Sequence, residues 1–200
     1  MILIMGPGGS GKTTVAKELD KLGCYIVPTY TTRGPRPDDA YTICVYDDTF
    51  RRLLNNKRFI SHATFHAKFG DVSYGIPVEE YLQNVKSYAT FPVVIISAYE
   101  YVDDIVEYAK MCKGDPVFKV YLDVDIDTIV KKSLGDSKRG QANMDLYSRV
   151  ERDSLKNEKL KHYADFVVNN RGMQKSPYDI ACDIVLEYQN FLTKKMQGGI

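Results

Sequence analysis

The residues with the most chemical potential come early in the chain. Gly6-Pro7-Gly8-Gly9-Ser10-Gly11-Lys12-Thr13, with Thr14 behind it, fits G-x-x-x-x-G-K-[ST]. Glycines let such a backbone curl until successive N–H groups point inward, and a helix opening on the loop adds the positive end of its dipole. This arrangement cradles nucleoside triphosphate phosphates, with Lys12 reaching the β and γ phosphates and the Thr13 hydroxyl reaching Mg²⁺. ATP and Mg²⁺ are the expected cofactors. The motif alone specifies only nucleotide binding.

A second phosphate-adapted stretch follows in Thr29-Tyr30-Thr31-Thr32-Arg33-Gly34-Pro35-Arg36. Arginine suits phosphate because its planar fork donates two hydrogen bonds at once.

The elements that must position these groups read as a parallel α/β sheet: short apolar runs alternate with amphipathic stretches. Central strands are expected at Ile2 to Met5, Tyr25 to Val27, Val93 to Ser97, Val117 to Leu122 and Phe166 to Val168. Helices are expected at Lys12 to Leu22, Tyr101 to Met111, Ile126 to Leu134, Met144 to His162 and Tyr178 to Lys194. Residues 30–86 break the rhythm and read as an inserted lobe, with one helix capped by Asp47 or Asp48 and another opened by Pro77. Residues 135–143, GDSKRGQAN, read as a basic flap between helices. The remaining core is 1–29 and 87–200, all within one domain.

Composition narrows the class. The 200 residues carry 27 Lys and Arg against 26 Asp and Glu, a net charge of +1 that leaves no global field for nucleic acid. No apolar run approaches the roughly 20 residues of a membrane span, so no membrane partner is expected. With a strand expected from Ile2, no leader is expected, and the end after Phe191 reads as frayed. Four cysteines without a CxxC pair suit free thiols in a reducing, cytoplasmic setting. The expected molecule is a monomer or homodimer.

In order along residues 2 to 170, the chain offers GPGGSGKTT, T-Y-TTR-G-PR, Tyr74-Gly75, Arg139-Gly140 with Arg149, and Val167-Val168-Asn169. This ordered set resembles the guanylate kinases. The resemblance implies a P-loop NTPase three-layer α/β fold with a central parallel five-stranded sheet, a lobe binding a nucleoside monophosphate, and a lid. It implies phosphoryl transfer from Mg-ATP to a small-molecule nucleotide acceptor. It places Thr29, Arg33, Arg36 and Tyr74 at the acceptor, with Tyr41 a further contact and Thr42 its alternative. Arg139 and Arg149 become lid arginines that act with Lys12 and Arg36 on the transferred group, and Asn169 falls at the adenine. Phosphoryl transfer needs positioning and spread positive charge more than a dedicated base.

The base-reading positions depart from the family. Where guanylate kinases offer a carboxylate to guanine's N–H donors, this chain has Ser61, and the acidic strand end becomes Ser97-Ala98-Tyr99. Asp71 is a candidate replacement carboxylate. A nucleoside or deoxynucleoside monophosphate kinase of altered base preference is the leading expectation. The alternatives are a sugar-phosphate kinase resembling ribose bisphosphate phosphokinases, and a non-catalytic module of the same fold.

Overall fold

The computed structural model describes residues 1–37, 39–67, 70–79, 91–96, 100–113, 116–135 and 159–197. In chain order the strands are β1 (Ile2–Met5), β2 (Tyr25–Ile26), β3 (Thr29–Thr31), β4 (Thr42–Cys44), β5 (Phe59–Ala67), β6 (Gly70–Pro77), β7 (Pro92–Ile95), β8 (Phe118–Asp123) and β9 (Phe166–Asn169). The helices are α1 (Lys12–Lys21), α2 (Asp47–Asn55), α3 (Glu100–Lys113), α4 (Ile126–Gly135) and α5 (Pro177–Gln197). Residues 78–79 and 159–163 are also helical.

Five strands pair in parallel in the order β2-β7-β1-β8-β9. Central β1 places Ile2 opposite Val93 on one side and Phe118 on the other. All its residues are buried, as a strand covered on both faces requires. Alternation sends its side chains into two cores. Ile2 and Ile4 pack with Val15, Leu19, Ile180 and Ile184 under α1 and α5. Leu3 and Met5 pack with Val102, Ile105, Ile76 and Leu160 on the α3 side. Burial on this scale is worth about 25 cal/mol per Å² of apolar surface, which fixes the sheet that carries the glycine loop.

Local chemistry sets the helix limits. Gly23, at φ 88°, ends α1, where the Gly23 and Cys24 N–H groups donate to Asp20 O and Leu19 O, both at 2.9 Å. At the start of α5, Pro177 needs no N–H partner, and Ser176 Oγ accepts from Asp179 N at 3.1 Å. Asp125 Oδ1 accepts from Thr128 N at 2.8 Å at the start of α4. Asp47 and Asp48 do not cap α2: the cap is Tyr46, held extended at ψ 152°, and the aspartates fill the first turn, where their charge meets the helix dipole. Pro77 ends β6 directly before helical residues 78–79.

Within residues 30–86 lies most of a second sheet, ordered β4-β3-β6-β5, which the sequence showed only as scattered strand-like pieces. β3 and β4 are parallel, while β3/β6 and β5/β6 are antiparallel. Opposite Ser61 lies Ile76 and opposite Ala63 lies Tyr74, and Ile76, Ala63 and Tyr74 all join the core on the α3 side. The intervening pairs His62–Gly75, Thr64–Ser73 and His66–Asp71 take the other face. The expected flap begins at Gly135, which ends α4; residues 136–143 with Arg139 lie outside the described residues, as do Arg149, Ser97 and Tyr99. Of the helix expected over Met144 to His162, only the end is described, and it is helical.

Candidate functional site

The glycine loop joins the buried end of β1 to α1. Gly6, Gly9 and Gly11 hold φ at 150°, 86° and 91°, values open to glycine and costly for other residues. A Cβ on Gly6 would lie 3.0 Å from both Leu122 O and Ser10 Oγ, so β8 presses directly on the loop. Gly8 and Gly11 face open space, and Gly11, the N-cap, has no side chain to satisfy the first N–H groups of α1.

Two polar groups converge under this loop. Lys12 is 7% exposed, and its Nζ donates to Gly6 O and Pro7 O, each at 2.8 Å, which folds the ammonium across the loop. Ser10 Oγ is buried without a hydrogen-bond partner among the described residues. A buried orphan hydroxyl carries a desolvation cost that an oxyanion in the loop would relieve. Thr13 and Thr14 are exposed in the first turn of α1. The loop therefore fits a polyphosphate, and the exposed Thr13 hydroxyl is an oxygen ligand of the kind Mg²⁺ takes. Among the described residues no group of three or more His, Cys, Asp or Glu is placed to hold a metal.

The second cluster gathers just past β3. Thr31 is fully buried, and its Oγ1 donates to Ser73 O at 2.9 Å, which locks β3 to β6. Arg33 follows, with its N–H donating to Thr31 Oγ1 at 3.3 Å. Its Nη1 donates to Asp39 Oδ2 at 2.8 Å and its Nη2 to Asp39 Oδ1, a bidentate pair. The pair raises the Arg33 pKa above its ordinary value, chiefly through Asp39 and partly through Tyr74, and holds the Asp39 carboxyl below its own range, chiefly through Arg33. The Arg36 backbone N–H also donates to Asp39 at 2.8 Å, while its side chain is exposed. Arg33 thus lies beside Tyr74, and Asp39, which the sequence did not single out, links Arg33 to the Arg36 backbone.

Along the same sheet face, Ser61 is 3% exposed and its Oγ donates to the exposed Asp104 of α3 at 2.6 Å. Thr29, two residues before Thr31, shares that face. Asp71 does not: it lies on the opposite face, where it pairs with His66 Nδ1 at 2.6 Å. The carboxylate beside Ser61 is Asp104, which no local sequence signal marks, because the two residues are 43 apart.

Tyr41 is set apart from the Arg33 cluster. Its ring packs on the core under α1, and its hydroxyl donates to Asp20 at 2.9 Å. Burial, with Asp20 second, pushes the phenol to about 12. Asn169 ends β9 opposite Asp123, exposed, its Oδ1 accepting from Arg171 N at 3.3 Å. Asp123 also meets Lys161 at 2.9 Å and Arg171 at 3.5 Å.

No protein-family model and no curated protein sequence matches the chain. Solved structures do match. A guanylate kinase from Anaplasma phagocytophilum superposes with a TM-score of 0.62 at 17% identity, covering 98% of this chain and 85% of that one. The fold is that of the P-loop kinases. A shikimate kinase from Acinetobacter baumannii, determined with shikimate, superposes with a TM-score of 0.50 at 17% identity, covering 97% and 93%. In this P-loop kinase fold the glycine loop lies at the carboxyl end of central β1, the edge where open parallel sheets take their ligands. Among the described residues no helix is long and apolar enough to cross a membrane.

Proposed function

We propose that this chain is an ATP-dependent kinase of a nucleoside or deoxynucleoside monophosphate. What supports the reading is a pair of clusters, one at each of the two sheets, whose residue types suit phosphate. One is the glycine loop with its folded Lys12 and orphan Ser10 hydroxyl; the other is the Arg33, Arg36 and Tyr74 cluster. A phosphotransferase needs a donor site and an acceptor site, and one glycine loop alone serves hydrolases equally well.

In this reading Gly6, Gly8, Gly9, Ser10, Gly11, Lys12, Thr13 and Thr14 hold the donor phosphates, Thr13 also meets Mg²⁺, and Asn169 lies toward the adenine. Bound Mg-ATP would supply the phosphoryl group and most of the metal-borne charge neutralisation. Lys12 supplies fixed positive charge where negative charge develops. Arg33, Arg36 and Tyr74 orient the acceptor phosphate, and Arg139 of the lid at 135–143, with Arg149 of the segment that follows it, adds charge at the transferred group. The second sheet is the acceptor lobe. Thr29, Ser61 and Asp104 line its face beyond Tyr74, with Asp104 offering an acceptor-only group to N–H donors of the base. Tyr41 contributes by bracing the lobe against α1.

The test is initial-rate ADP formation with Mg-ATP and each ribo- and deoxynucleoside monophosphate, with ribose 1,5-bisphosphate alongside. Turnover of one nucleotide supports the proposal. Turnover of the sugar bisphosphate alone replaces it with a sugar-phosphate kinase, and ATP binding without any turnover replaces it with a binding module.

A further inference from the structure

We propose that Asp39 is a resident competitor for the anion that binds Arg33, so that an acceptor phosphate must displace it to enter. The inference rests on the acceptor-site reading of the Arg33 cluster. Both terminal nitrogens of Arg33 donate to Asp39, one to each oxygen, Nη1 at 2.8 Å. This two-bond fork is the geometry by which a guanidinium also takes a phosphate. The two side chains are only 12% and 13% exposed, which lowers the solvent screening that makes most surface pairs weak.

The carboxylate also takes a backbone donor on the oxygen that meets Arg33 Nη1. The Arg36 N–H donates to Asp39 Oδ2 at 2.8 Å, and Arg33 Nη1 donates further to Gly34 O at 2.9 Å. Arg33, Gly34 and the Arg36 backbone therefore close around one internal anion, the Asp39 carboxylate. A carboxylate ligand gives Arg33 no more than Asp39 already gives. A phosphoryl dianion brings more charge and a third oxygen, so it gains Tyr74 and the Arg36 side chain as well. The affinity that an acceptor shows is its intrinsic affinity reduced by the fraction of molecules in which Asp39 has released the fork.

A carboxylate that positioned Arg33 for phosphate would act in the opposite direction, which makes the sign of one substitution decisive. Inorganic phosphate is titrated calorimetrically into wild type, Asp39→Asn and Asp39→Ala. The Arg33→Ala isotherm is subtracted to remove binding at the glycine loop. The expected result is an Arg33-dependent dissociation constant about tenfold smaller in both Asp39 variants, as for a competent state populated about a tenth of the time. Unchanged or weaker binding overturns the proposal. So does the absence of any Arg33-dependent component, or failure of both variants to fold, which would assign the pair a structural duty. Tighter phosphate binding without nucleotide turnover would sink the kinase reading and leave this one standing; turnover with no tightening would do the reverse.

Discussion

The buried hydroxyl of Ser61 donates to the exposed carboxylate of Asp104 at 2.6 Å, tying the second sheet to the helix that covers the first. The bond fixes one carboxylate oxygen and leaves the group at the solvent edge of the face shared by Tyr74 and Thr29. Asp104→Asn should raise the acceptor KM about tenfold or more while largely sparing kcat, because a hydrogen bond to a charged group contributes roughly 1.5–3 kcal/mol. Ser61→Ala should raise it less. Steady-state kinetics check this: a lowered melting temperature with an unchanged KM would make the pair a structural tie only.

Gly75 has no Cβ for a packing reason. A Cβ there would lie 2.7 Å from the Phe59 ring, which itself stacks on Phe50 of α2 at 4.7 Å between centroids. Gly75→Ala should therefore overpack the outer face of the sheet and cost roughly 1–3 kcal/mol. Urea unfolding measures it. A loss below about 0.5 kcal/mol would show that Phe59 has room to move.

Asp125 gives a pH signature. Its carboxylate accepts from the Thr128 hydroxyl and N–H, each at 2.8 Å, and from Gly172 N at 2.9 Å. These bonds, the Thr128 hydroxyl foremost, pull it from 3.8 to about 2. A depressed pKa gives stability that is present above the unfolded value and lost as pH falls from about 4 to about 2. Asp125→Asn should be less stable than wild type at neutral pH, with the gap narrowing through that window. Urea midpoints against pH report it; a gap that does not narrow would remove Asp125 from the acid response.

Legibility followed sequence distance. β1, the glycine loop and α1 are contiguous, so hydrophobic pattern and local turn chemistry define them together, and Lys12 and Ser10 lie where the motif puts them. The Arg33 and Arg36 pair was equally visible. Asp39 was not, although only three residues beyond Arg36, because an aspartate in a polar turn ordinarily meets water. Strand pairing in the second sheet depends on register between distant segments, and register decides that Asp71 faces away from Tyr74 while Asp104, on a helix of the other layer, reaches Ser61. Tyr41 illustrates the same limit: its position suited the acceptor phosphate, but tertiary packing gives its hydroxyl to Asp20.

The central claim is phosphoryl transfer from the glycine loop, and Lys12 tests it most directly. Initial-rate ADP formation should be measured with Mg-ATP and the full nucleoside monophosphate panel for wild type and Lys12→Ala. The account predicts turnover of at least one nucleotide and a fall in kcat on the order of 10²–10³ in the variant. Equal rates in the two proteins, or no turnover by wild type across the panel, would contradict it.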